Sequence, residues 1–158
     1  EEAVPALGLE EIQHHLVGHP PLELAVEHLT PLGAELLAGG IVARFPRLRI
    51  CWAHGGGTLA LVLPRLEHAW NKVGAVKKAA PKPPSAYLDN FFYDSITHSP
   101  AGLRFLVDTL GAGHVVMGSD YPFAMGVEDP VAGLAGVPEA ERIMGSNAER
   151  FLGVKETR

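Results

Sequence analysis

The sequence predicts an α/β fold built on a parallel sheet, and three observations carry the prediction. Short apolar runs of strand length alternate with longer segments in which apolar residues recur at threes and fours. Helices rather than tight turns separate the runs, which implies a parallel sheet with right-handed crossovers. Each run also ends in polar or glycine-rich residues, where folds of this kind gather their function. The composition, 47% apolar and 20% charged over 158 residues, is that of a soluble globular chain with enough material for one core.

Taken in order, residues 1–21 show little periodicity and are punctuated by Pro5, Gly8, Gly18, Pro20 and Pro21. Residues 22–44 read as helix, with Leu22, Ala25, Val26, Leu29, Leu32, Leu36 and Leu37 in phase, and Pro31 predicts a kink or break. Gly39-Gly40 is either a turn or a close-packing point. Leu48 to Ala53 reads as a buried strand, followed by His54-Gly55-Gly56-Gly57. Thr58 opens a helix to about Lys72. A Pro-rich connection covers 74–86. Phe91 to Ile96 is the second strand. Ser99-Pro100 opens a helix to about Leu110, with Leu103, Leu106 and Val107 inward and Gly111 at its end. His114 to Ser119 is the third strand, running into Asp120-Tyr121-Pro122-Phe123. Pro138 opens a helix through Met144, and Asn147 caps a last one, 148–152, closed by Gly153. Three strands make a poor complete fold, since a closed barrel of alternating strands and helices needs eight and about 250 residues.

Charge and composition exclude some functions. The net charge is −5 and no Lys/Arg stripe forms, so nucleic acid is not an expected partner. Lys77, Lys78 and Lys82 belong to a solvated, Pro/Ala-rich loop. No apolar run approaches the roughly 20 residues that span a bilayer, so no membrane contact is expected. A single cysteine, Cys51, fits a cytoplasmic setting. The N-terminus has no signal-peptide shape and no initiator Met, and reads as the middle of something longer.

Polar groups fall at the end of each strand. His54 can bind a metal or shuttle protons, with three glycines behind it that admit close approach to the backbone; it can equally be a structural histidine heading a glycine-rich turn. Asp120 ends an apolar strand, where an unpaired carboxylate is costly, so it needs a metal, a histidine or a backbone cap as partner. Asp94 either joins the chemistry or satisfies backbone groups. His98 can line the pocket, and Phe123 and Tyr121 can wall it or pack in the core. His14, His15, His19 and His28 read as surface or packing residues, because Pro20-Pro21 interrupts the only helical spacing among them.

These motifs carry a resemblance. Phe45-Pro46-Arg47-Leu48-Arg49-Ile50, Ala53-His54-Gly55-Gly56-Gly57 and Pro64-Arg65-Leu66 resemble the sixth strand and helix of the aminocarboxymuconate semialdehyde decarboxylase-like branch of the amidohydrolase superfamily. Phe92-Tyr93-Asp94-Ser95 with Ser99-Pro100 is similar to its seventh strand, and Val115 to Phe123 to its eighth. Asn147 to Gly153 is similar to its C-terminal helix. The resemblance implies a partial (β/α)8 TIM barrel, strands six to eight with flanking helices. Residues 1–158 would form the C-terminal part of one barrel domain whose N-terminal strands are absent. It implies a divalent metal, commonly zinc. Asp120 matches the metal-ligand aspartate and His54 the acid/base histidine beside the metal-bound water. Arg65 matches a family arginine read as structural or as an oligomer contact. The family's His-x-His pair and fifth-strand ligand have no counterpart here, and His19-Pro20 is not equated with the latter.

The implied activity is decarboxylation of an unsaturated or aromatic carboxylic acid through the metal-bound water and the His54/Asp120 pair, with His98 and Phe123 against the substrate. Hydrolysis of a lactone or amide is the alternative chemistry. A catalytically incomplete fragment, inactive alone, is the alternative of a different class, and a half-barrel homodimer a third.

Overall fold

The computed structural model describes residues 29–154. The expectations for residues 1–28, including the four N-terminal histidines, lie outside the described residues. Helix α1 (Leu29–Ala38) continues past Pro31 unbroken. A proline disturbs the carbonyl four residues before it, so the turns that follow are spared. The break comes at Gly39-Gly40. Gly40 has φ 77° and lies so close to the next layer that a Cβ there would sit 2.0 Å from the Ala79 carbonyl oxygen. Both readings of the glycine pair therefore hold, a turn that is also a close approach. Helix α2 (Ile41–Arg44) follows.

The sheet has three parallel strands in the order β1-β2-β3: β1 (Ile50–Trp52), β2 (Phe91–Asp94) and β3 (Val115–Val116). Trp52 pairs with Tyr93 and Tyr93 with Val115. The crossovers that parallel pairing requires are α3 (Leu59–Lys72) with α4 (Gly74–Ala79), and α5 (Pro100–Leu110). Trp52, Phe91, Tyr93 and Val115 face these helices and meet Leu59, Leu63, Leu103, Leu106 and Leu110 in the core. At Gly33, α1 comes so close to α3 that a Cβ would lie 2.6 Å from Leu59 Cδ2.

The strands are shorter than the apolar runs that announce them. β1 is an edge strand covered on one face, so Cys51 between Ile50 and Trp52 is exposed rather than buried. β3 pairs over only two residues. His114 in front of it is taken up in a 3-10 turn, Ala112–His114, and behind it the Met117 N–H donates to the Ile143 carbonyl, 2.8 Å. β2, flanked on both sides, is buried along all four of its residues, and the short β3 is buried as well. Phe92 on the far face of β2 meets Phe151 with ring centroids 5.2 Å apart.

The connection 74–86 is not all loop. Ala75 to Ala79 favours helix and forms most of α4, and Pro81 and Pro83 lie just beyond its end. Trp70 Nε1 pins this segment by donating to the Ala80 carbonyl, 2.7 Å. Ser99 caps α5 as predicted, its Oγ accepting from Gly102 N at 3.1 Å. The last two helices are α6 (Ala140–Met144) and α7 (Ser146–Leu152). Asn147 does not cap α7. It lies inside the helix, is buried, and its Nδ2 donates to the carbonyls of Ala112 and Val115 at 2.8 and 2.7 Å. A buried amide gains more from two carbonyl partners than a helix end gains from one cap.

Candidate active site

The C-terminal ends of the three strands open onto one cleft of about 740 Å³. Its walls are mainly apolar, from Leu61, Ile96, Phe105, Leu106, Phe123 and Met125. Its polar side chains, His54, Thr58, Thr97, His98 and Asp120, come from the strand-end loops and the start of α3.

His54 follows β1 and stands first in a short 3-10 turn, His54–Gly56. Its φ is 53°, in the left-handed region that few non-glycine residues occupy. Asp120 follows β3 with φ 58°. Its loop closes on itself through Phe123 N–H to the Asp120 carbonyl, 2.9 Å, and Val127 N–H to the Ser119 carbonyl, 2.8 Å. The two loops bring His54 Nε2 to 3.4 Å from Asp120 Oδ2, with both side chains partly open to the cleft. The carboxylate thus has the histidine partner that the sequence asked for.

His98 follows β2, also with a left-handed φ of 50°, and lines the cleft as expected. Phe123 lines it too. Tyr121 does not: it is 88% exposed and turned away from the walls. Asp94 stays out of the cleft. Its Oδ1 accepts the N–H groups of Gly55 at 2.9 Å and Ile96 at 3.0 Å, so it satisfies backbone, one of the two roles open to it. Burial pushes its carboxyl above the ordinary carboxylate range. The backbone N–H groups of Gly55, Ile96 and His54, and then the His54 charge, pull the other way.

Leu61 and Phe105 were not anticipated as cleft walls. Each is a large apolar residue off the buried stripe of its helix, and that misphasing is the signal that marks them.

Among the described residues no three His, Cys, Asp or Glu side chains converge to hold a metal ion. The Asp120 carboxylate and the His54 imidazole are donors of suitable chemistry, but they fall short of the usual four-donor shell. Any such shell here draws its other donors from outside these residues.

Residues 18–154 match the amidohydrolase family. The chain is 34% identical over 126 residues to 2-amino-3-carboxymuconate-6-semialdehyde decarboxylase of Dictyostelium discoideum, a match covering 76% of this chain and 35% of that protein. It superposes on 5-carboxyvanillate decarboxylase LigW from Sphingomonas paucimobilis with a TM-score of 0.64 at 27% identity, over 77% of this chain and 38% of that one. A second similar structure is 5-carboxyvanillate decarboxylase from Novosphingobium aromaticivorans, complexed with manganese and 4-hydroxy-3-methoxy-5-nitrobenzoic acid. Its TM-score is 0.65 at 22% identity, over 90% of this chain and 43% of that one. The chain thus spans well under half the length of each of these relatives. The three strands and their helices are part of a (β/α)8 barrel, as the sequence predicts, and the chain belongs to the amidohydrolase family.

Proposed function

We propose that residues 1–158 form the sixth-to-eighth-strand side of a single barrel domain in a divalent-metal-dependent decarboxylase. Its substrate in this reading is an aromatic or unsaturated carboxylic acid. One observation carries the reading: His54 Nε2 and Asp120 Oδ2 lie 3.4 Å apart at the polar end of an otherwise apolar cleft. The similarity to decarboxylases of such acids supports it.

In this reading Asp120 is a metal ligand, completed by donors beyond the described residues. The ion we propose is zinc, with manganese, present in a solved relative, as the competing outcome of a metal analysis. When bound, the ion supplies a Lewis acid that polarises substrate oxygens. The apolar walls of Leu61, Phe105, Phe123 and Met125 take the unsaturated carbon skeleton, and His98 meets a polar substituent. Asp120 orients the His54 imidazole, which holds the transferable proton. As the bond between carbon and carboxylate breaks, its electron pair stays on the substrate carbon. That carbon takes the proton from His54, carbon dioxide leaves, and the imidazole is reprotonated from solvent. Walls without compensating charge favour loss of the charged carboxylate. A cytoplasmic location suits the single reduced cysteine.

The test uses the protein expressed from its full reading frame, assayed for carbon dioxide release from a panel of aromatic and unsaturated carboxylic acids. One member is expected to be turned over, with rates falling at least about 100-fold in His54→Ala and Asp120→Asn, the low end of general acid–base contributions. Hydrolysis of a lactone or amide in its place, or full activity in His54→Ala, refutes the reading.

A further inference from the structure

The mechanism leaves one buried carboxylate unused. Asp94 closes β2 behind the cleft and is 9% exposed. It accepts the backbone N–H groups of Gly55 at 2.9 Å and Ile96 at 3.0 Å, and the backbone N–H of His54 also favours its charged form. Two of these donors therefore belong to the turn that carries His54. That turn is unusual: φ is 53° at His54, 61° at Gly55, 73° at Gly56 and 60° at Gly57. Glycine takes such values freely and histidine does not. Backbone N–H groups of a left-handed stretch gather on one side and form a nest for an anion. Here the anion is supplied from within the chain.

Asp94 also touches the other arm of the site. A Cβ on Gly118 would lie 3.0 Å from Asp94 Cβ, so the backbone just before Asp120 rests directly on it. The adjacent Ser95 Oγ accepts the Gly118 N–H at 3.2 Å. The parallel register explains the placement. Trp52 pairs with Tyr93, so the next residue of β2 falls beside the turn leaving β1.

We propose that Asp94 is the positioning residue that holds His54 in its left-handed backbone conformation and so fixes the 3.4 Å spacing of His54 and Asp120. The inference rests on the acid–base reading of that pair. Asp94 touches no substrate and acts through the backbone of the His54 turn.

Two readouts test it on the full protein. Asp94→Ala is expected to lower kcat about 100-fold, the usual penalty of a misplacement near 1 Å. KM is expected to stay within about threefold, because a residue that only positions the acid leaves ground-state binding intact. Asp94→Asn keeps an acceptor oxygen in the same place and is expected to recover kcat to within about tenfold of the parent. The second readout is independent of activity: the His54 imidazole resonances, followed by NMR, are expected to move in Asp94→Ala and to stay near their parent positions in Asp94→Asn. Unchanged kcat or unmoved His54 resonances in a folded Asp94→Ala protein overturn the proposal. If no decarboxylation is found in the parent, the functional reading fails, and the resonances still decide whether Asp94 holds His54. If Asp94→Ala does not fold, Asp94→Glu takes its place. Its extra methylene displaces the turn, so His54 is expected to shift in Glu and not in Asn. Equal behaviour of the two overturns the proposal.

Discussion

Asn147 offers a test in which packing and hydrogen bonding predict opposite orders. Its side-chain amide is 2% exposed and donates to two carbonyls, Ala112 at 2.8 Å and Val115 at 2.7 Å. Asn147→Ala removes both bonds, worth about 1 kcal/mol each. It also leaves a small void, worth somewhat under 1 kcal/mol at about 24 cal/mol per Å³. Ala112 O keeps the Val115 N–H as a second donor, which limits the cost of stranding it. The expected loss is therefore about 2–3 kcal/mol. Asn147→Asp is nearly isosteric, so on packing alone it would be the milder change. Hydrogen bonding predicts the reverse, because the carboxylate sets an oxygen against two carbonyl oxygens and is buried without a donor. Its loss should exceed that of the alanine variant by at least about 1 kcal/mol near pH 7. The gap should narrow at acid pH, where a protonated carboxyl can donate one bond. Urea unfolding followed by tryptophan fluorescence at two pH values reads both variants. An aspartate variant as stable as the parent at neutral pH would refute the assignment of Asn147 as the donor that joins α7 to β3.

A substitution in the turn behind the site is paired with a control at a distant glycine. At Gly56 a Cβ would meet the buried Tyr93 ring at 2.6 and 2.8 Å, with φ at 73°. Gly56→Ala should therefore lose about 1–2 kcal/mol to backbone strain and a further 1–3 to overpacking. Gly136→Ala, at φ 75° with no atom near its Cβ, should show the strain alone in the same unfolding assay; equal losses would mean that the ring yields freely. For Cys51, partial desolvation of a side chain that keeps solvent access, and secondarily the Asp94 charge, push the thiol up from 9.0 to about 11. At pH 8 its alkylation should run about 100-fold slower than that of an unperturbed thiol and recover as the pH rises towards 11, since only the thiolate reacts. The side chain is exposed, so an ordinary rate at pH 8 would show that the thiol is not held protonated.

Much of this site is legible in the sequence because it is local. A polar residue closing an apolar run stands at the C-terminal end of a strand, and that rule alone places His54, His98 and Asp120 around one opening. Phe123 follows Asp120 closely enough to share its loop. What was not legible depends on register and on competition for donors. Asp94 has the same sequence context as the other strand ends, yet the Trp52–Tyr93 pairing sets it beside backbone amides rather than in the cleft. Asn147 has the composition and place of a helix cap, and only the position of β3 shows two carbonyls waiting for its amide. The strands are shortened by partners distant in sequence, as when Ile143 takes the Met117 N–H.

The left-handed residues carry this argument a step further. Among the described residues four non-glycine side chains have positive φ: His54, His98, Asp120 and Glu139. Glu139 precedes α6, and the other three are the polar residues that follow β1, β2 and β3 and line the cleft. Each such residue costs on the order of 1–2 kcal/mol and persists only where its surroundings over-determine it. Helix or turn formation does not demand this conformation three times on one rim, since a glycine at each place would relieve it. The shared feature is that each conformation delivers a side chain to the cleft. The strain lies where the side chains converge, and it supports the role proposed for His54 over that of a structural histidine heading a turn, because a purely structural turn would be more stable with a fourth glycine.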